Sequence, residues 1–159
     1  MKKKFTAFLT LLLILAALFT GGFDQFAPES AQIVTDATEF TQETVSENGW
    51  YYSADDVARY IHVYGHLPEN FITKSDARKL GWDGGSVEVY APGYAIGGDV
   101  FGNREGLLPE AAGRIYYECD IDTLGAESRG ASRIVYSNDG LIYFTADHYE
   151  SFELLFGEE

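Results

Sequence analysis

Apolar residues in the middle of this chain recur first at helical spacing and then at strand spacing. In SADDVARYIHVYG, residues 53–65, Val57, Tyr60, Ile61 and Tyr64 fall at i, i+3, i+4 and i+7, which predicts one apolar helix face. Ser53 with Asp56 three positions on is a capping-box variant, and Gly65 is placed to end the helix in a left-handed conformation. A second, short helix is predicted over Ser75–Leu80, with Thr73 as its cap and Gly81 as its stop. Lys74 then stands at the start of that helix, where the dipole disfavours a cation. Beyond Gly81 the period shortens. RIYYECDI (114–121), SRIVYS (132–137), GLIYFTA (140–146) and YESFELLF (149–156) are rich in Ile, Val, Tyr and Phe with partial alternation, and predict strands. Ser137-Asn138-Asp139-Gly140 supplies a hairpin turn between two of them. Helices first and antiparallel strands afterwards predict an α+β fold, with N-terminal helices packed on a C-terminal antiparallel sheet. The stretch GGDVFGNREGLLP, residues 97–109, reads as a loop from its glycines and proline.

The first 48 residues follow neither period. Lys2, Lys3 and Lys4 precede an apolar run from Phe5 to Phe19, shorter than the roughly 20 residues a membrane span needs. With small residues at Thr20, Gly21 and Gly22, residues 1–22 read as a secretory signal, cleaved after Gly22. The expectation is a secreted, extracellular chain with no stable membrane association after cleavage. Residues 23–48 carry six acids and no Lys or Arg, and read as a disordered spacer or pro-segment, so the compact domain is expected over 49–159.

Charge sharpens the picture. Formal net charge is −14, with 11 basic and 25 acidic residues. Alone, that argues for a soluble acidic protein with little attraction to nucleic acid. Losing the three N-terminal lysines would leave few cations, so where they sit is informative. Arg104 lies in the 97–109 loop beside Glu105, and Arg129 and Arg133 flank a loop-to-strand transition. Alternation in Tyr116–Asp120 puts Glu118 on one face with Tyr116 and Asp120, opposite Tyr117 and Cys119. Cys119 is the single cysteine, so no disulfide staples the fold, and it reads as a small buried apolar group. His62, His66 and His148 show no zinc-site spacing, and DIDTLGAESRGA lacks the glycine and closing glutamate of a calcium loop. No metal site is expected.

HLPENFITKSDARKLGW, APGYAIGGDVFGNREGLLP, ASRIVYSNDGLIY and TADHYESF occur in this order, and on them the chain resembles the barnase-like family of secreted bacterial guanyl-preferring ribonucleases. The resemblance runs from about Ser53 to Phe156. It implies a cofactor-free, monomeric endoribonuclease acting on RNA. Glu118 matches the family's catalytic base and His148 its acid, while Arg129, Arg133 and Lys74 match the phosphate-stabilising cations. Tyr149 and Asp99 match supporting residues, and Phe101, Gly102, Asn103, Arg104 and Glu105 match the guanine-recognition loop. Arg114 and Asp139 match a structural ion pair, and Asp120 is placed to orient Arg129.

The departures have consequences of their own. Gly102 replaces a serine, Phe144 a lysine and Gly140 a tryptophan, and Leu107 and Ala111 stand at basic positions. Strong acidity implies slower capture of RNA at low salt. It also implies that a protein inhibitor, if one exists, differs from the acidic inhibitor typical of the family. The competing reading is an exported RNA-binding or interaction domain on the same scaffold, with weak or no catalysis.

Overall fold

The computed structural model describes residues 44–158, so the signal and most of the spacer reading (1–43) lie outside the described residues. The described chain belongs to the compact unit Thr41–Glu159. Its elements run α1 (Ala54–Tyr64), β1 (Phe71–Ile72), α2 (Lys74–Lys79), β2 (Ala95–Phe101), β3 (Tyr116–Asp120), β4 (Arg133–Ser137), β5 (Ile142–Thr145) and β6 (Glu153–Phe156). The strands form one six-stranded sheet in chain order. Only β1 and β2 pair in parallel; the remaining neighbours are antiparallel, as in a meander. This is the α+β arrangement that the change of period predicts. No helix among the described residues is long and apolar enough to cross a membrane.

Both helices begin where the sequence signals stand. The Ser53 hydroxyl accepts from the Asp56 N–H at 3.2 Å, and Gly65 (φ 75°) closes α1 by donating to the Ile61 carbonyl. Val57, Ala58 and Ile61 are buried against the sheet, and Tyr60 is buried beside the rings of Tyr51 and Tyr64. The segment before α1 is held as well: Tyr64 Oη donates to the Val45 carbonyl and Tyr60 Oη to that of Glu47. Thr73 caps α2, which starts one residue earlier than expected, at Lys74.

Pleating divides the sheet into two sides. Cys119, Ile134, Tyr136 and Ile142 share a core cluster with Val57, Ala58 and Ile61 of α1. Tyr116, Val135 and Tyr143 point the other way, into a second cluster with Leu108 and Leu141. Glu118 and Asp120 share that second side by alternation. Cys119 is buried, and burial pushes its thiol well up, so it packs as an apolar group.

Two segments differ from the sequence reading. YESFELLF forms strand only in its second half, Glu153–Phe156. Residues 97–101, read as loop, belong to β2. Glycine there serves a close approach and a bulge. A Cβ on Gly97 would lie 2.6 Å from Cys119 Cβ and 2.7 Å from Phe71 Cδ1, while Gly98 (φ 91°) carries the register shift between Gly97 and Asp99. Gly97→Ala is therefore expected to destabilise the fold by about 1–3 kcal/mol through overpacking. Urea denaturation checks this; an unchanged midpoint would show that Cys119 and Phe71 yield without cost.

Candidate active site

β2 and β3 place two acids opposite each other, Asp99 across from Glu118. Directly opposed like charges repel. Lys74, the first residue of α2, answers both: its N–H donates to Asp99 Oδ2 at 2.8 Å, and its ammonium donates to Glu118 Oε1. Asp99 thus anchors the start of the helix, accepting from the Lys74 backbone rather than from a cationic side chain. The phenol of Tyr149 donates to the other carboxylate oxygen of Glu118.

Glu118 is buried, with 7% exposure. Burial raises its pKa, but the hydrogen bonds from Lys74 and Tyr149, with the charges of Lys74 and Arg129, outweigh that and hold the carboxyl below its ordinary value. Burial, and then the bond to the Glu118 carboxylate, push the Tyr149 phenol up, so it remains a donor.

One pleat along, Asp120 (2% exposed) receives two hydrogen bonds from Arg129, Nε to Oδ2 at 2.6 Å and Nη2 to Oδ1 at 2.8 Å. Arg133 Nε lies 2.9 Å from Asp120 Oδ1 without an aligned N–H, an ion pair lacking the hydrogen bond. The rest of the Arg133 guanidinium donates to the carbonyls of Arg129, Gly130 and Ser132. The two arginines therefore differ. Arg133 is buried and holds the 129–132 turn from inside, whereas the Arg129 side chain is 24% exposed.

A cleft of about 550 Å³ is lined both by Lys74 and Glu118 and by residues 101–105. Phe101 is half-buried, its ring 5.0 Å from that of Tyr149. Arg104 and Glu105 are exposed. Asn103 (φ 42°) turns its amide inward, with Nδ2 donating to the Leu108 carbonyl at 2.9 Å and Oδ1 accepting from the Leu108 N–H at 3.1 Å. Its side chain closes the loop. The Arg104 side chain passes Gly102, with Cγ 3.6 Å from where a Cβ would stand, an ordinary contact that leaves room for a serine.

His148 is exposed and joins this group through Tyr149, ring to ring at 4.8 Å. His148 (φ 58°) and Tyr149 (φ 77°) are consecutive non-glycine residues in the left-handed region, a conformation that surrounding structure must impose. Asp147 and Thr145 impose it. Asp147 Oδ1 accepts from the N–H groups of Glu150 and Ser151, both at 3.0 Å, and from the Thr145 hydroxyl at 2.8 Å. Thr145 Oγ1 in turn accepts from the Tyr149 N–H at 3.0 Å. The Ser151 hydroxyl bond, then the Ser151 N–H and the Thr145 hydroxyl, hold the Asp147 carboxyl down at about 2. Sequence reasoning passed over both residues. Their signal is an aspartate flanked by hydroxyl residues at i−2 and i+4, a local pattern of turn-forming side chains.

Arg114 Nε donates to both oxygens of Asp139, at 3.0 and 2.8 Å, and its Nη1 donates to the Pro109 carbonyl. Among the described residues, no group of three or more His, Cys, Asp or Glu side chains is arranged to hold a metal ion.

The Lys74–Glu118 contact sets a pH dependence. The folded Glu118 carboxyl titrates below its ordinary value of 4.5, so its charge contributes stability fully above that pH. The contribution is lost as pH falls through the folded value. Lys74→Ala removes the ammonium while burial remains, so the Glu118 titration is expected to move up and acid unfolding to begin at higher pH. Carboxyl NMR titration measures it; an unmoved Glu118 curve would mean that Tyr149 and Arg129 suffice.

The ribonuclease family model matches residues 54–155, from the start of α1 into β6 and across the site residues above. A ribonuclease from Bacillus pumilus is 43% identical over 159 residues, covering 96% of this chain and 98% of that protein. A ribonuclease from Heyndrickxia coagulans is 53% identical over 100 residues, 62% of this chain and 91% of that protein. The guanyl-specific ribonuclease St of Saccharopolyspora erythraea is 46% identical over 61 residues, 38% of this chain and 60% of that protein. With a family match over most of its length, the chain belongs to the ribonuclease family of RNA-cleaving enzymes.

Proposed function

We propose that this ribonuclease is a secreted, metal-independent endonuclease that cleaves single-stranded RNA after guanosine, forming a 2′,3′-cyclic phosphate that water then opens. The observation that carries the reading is the single cleft shared by Glu118 and the 101–105 loop. RNA brings its own nucleophile, the 2′-hydroxyl, so the protein must supply a base, an acid and cations for the phosphate. Glu118, kept ionised by Lys74 and Tyr149, takes the 2′-OH proton. His148 protonates the departing 5′-oxygen, and the two exchange roles when water opens the cyclic product.

Arg129 and Lys74 stabilise the charge that builds on the phosphate, while Arg133 keeps the Arg129 turn in place from below. Cations already oriented by carboxylates need little rearrangement as that charge develops. Guanine is read by Glu105, whose carboxylate accepts from N1–H and N2–H, and by backbone N–H groups around Gly102 and Arg104. Phe101 offers an aromatic surface, and Asn103 preserves the loop shape through Leu108. The guanyl-specific relative supports that base preference. The leader-like residues 1–22 support secretion.

Guanosine-containing dinucleotides are the decisive substrates. The expected product is a guanosine 2′,3′-cyclic phosphate, and Glu118→Ala and His148→Ala are each expected to lower kcat/KM about 10²–10⁴-fold. Rates followed by chromatography across pH and salt check this. Purified protein that binds such substrates but leaves them intact would favour a non-catalytic RNA-binding domain, and two fully active variants would refute the acid–base assignment.

A further inference from the structure

The base and the acid of the proposed reaction are held in different ways. Side chains grip the Glu118 carboxylate, with Lys74 and Tyr149 donating to its two oxygens. The His148 imidazole makes no hydrogen bond to any described residue, and its one ring contact is with Tyr149, 4.8 Å between centroids. An exposed side chain without a polar partner of its own is aimed by its backbone, which selects the rotamers open to it.

Two side chains capture that backbone on both sides of His148. Thr145, 1% exposed, ends β5 opposite Arg133 of β4. Its Oγ1 accepts from the N–H groups of Asp147 at 3.4 Å and Tyr149 at 3.0 Å, while the hydroxyl donates to Asp147 Oδ1. Asp147 Oδ1 also accepts from the N–H groups of Glu150 and Ser151, and its Oδ2 accepts from the Ser151 hydroxyl. The N–H groups of residues 147, 149, 150 and 151 are thus all taken, and His148 stands inside that frame with φ at 58°. A non-glycine residue keeps this conformation only where its surroundings hold it there. The direction of the His148 Cα–Cβ bond therefore depends on the Asp147 carboxylate.

We propose that Asp147 is a positioning residue for the acid: it fixes His148 where the imidazolium can protonate the departing 5′-oxygen, and it matters only to leaving groups that need that proton. The role rests on the ribonuclease reading in which His148 is the acid. In that step the 2′-oxygen gives its proton to Glu118 and bonds to phosphorus. The P–O5′ bond breaks with its electron pair going to O5′, and O5′ takes a proton from His148. An alkoxide leaves poorly and needs the proton as the bond breaks, whereas a nitrophenolate departs as a stable anion and needs none. The bonds to Asp147 hold its carboxyl down at about 2, so the frame keeps its charge across the range in which a histidine titrates.

The test uses a guanosine dinucleotide and guanosine 3′-(4-nitrophenyl phosphate), which differ only in the leaving group. kcat/KM is measured on both for wild type, His148→Ala, Asp147→Asn and Asp147→Ala. In Asp147→Ala the ratio of dinucleotide to aryl ester is expected to fall about ten-fold, with the aryl ester changed by less than about two-fold. Asp147→Asn keeps one acceptor oxygen and should lower the ratio less, and His148→Ala should lower it most. A role in stability alone would slow both substrates together. An equal loss on both in Asp147→Ala, or no loss on either, overturns the proposal; if that variant does not fold, an unchanged ratio in Asp147→Asn does so. Equal losses on both substrates in His148→Ala, or no cleavage by wild type, would instead defeat the parent reading. The nuclear Overhauser contact between the His148 and Tyr149 rings then decides. It is expected in wild type and lost in Asp147→Ala, and its persistence in the variant overturns the positioning role.

Discussion

One face of β3 withdraws two carboxylates from water, Glu118 and Asp120, a single pleat apart. Burying either carboxylate unpaired would cost several kcal/mol, and burying both side by side adds their mutual repulsion. The surrounding site is arranged to meet that constraint. Lys74 and Tyr149 answer Glu118, and Arg129 and Arg133 answer Asp120. These contacts tie α2, the 129–132 turn and the β5–β6 loop to the same strand. A buried ion cluster of this kind adds little net stability compared with apolar packing of equal volume. What it provides is fixed placement: four charged or polar side chains are held at defined positions around one edge of a cleft.

The cluster also fixes where so acidic a chain keeps its cations. Most of the cations among the described residues are committed to specific carboxylates; at β3, Lys74 and Arg129 help keep Glu118 ionised, while Arg129 and Arg133 pair with Asp120. A protein with net charge −14 thus holds three of its cations in fixed places around one strand, each set against a carboxylate.

Much of this was legible in the sequence, and the reasons for the rest are physical. Local signals carried through: Ser53 and Thr73 cap their helices, Gly65 ends α1, and the alternation of Tyr116–Asp120 puts Glu118 and Asp120 on one side. The glycines of 97–101 misled because their composition signals a turn, while their use is close packing against Cys119 and a bulge. Arg129 and Arg133 look alike in sequence, yet only the fold shows that one is buried beneath the other's turn. Asn103 belongs to the loop by position, but its amide is taken by Leu108, a partner no pattern names.

The meander has a consequence for assembly. Antiparallel neighbours β2 to β6 follow one another in the chain, so each strand can add to the edge left by the one before, with modest loop-closure entropy at each step. Glu118 lies near the middle of that series, whereas His148 and Tyr149 belong to the connection that leads into its last strand. Much of the sheet can therefore exist before the site does. Tyr149 reaches Glu118 only when the final hairpin closes, so a chain whose last connection has not formed lacks one of the two hydrogen bonds that hold the Glu118 carboxylate.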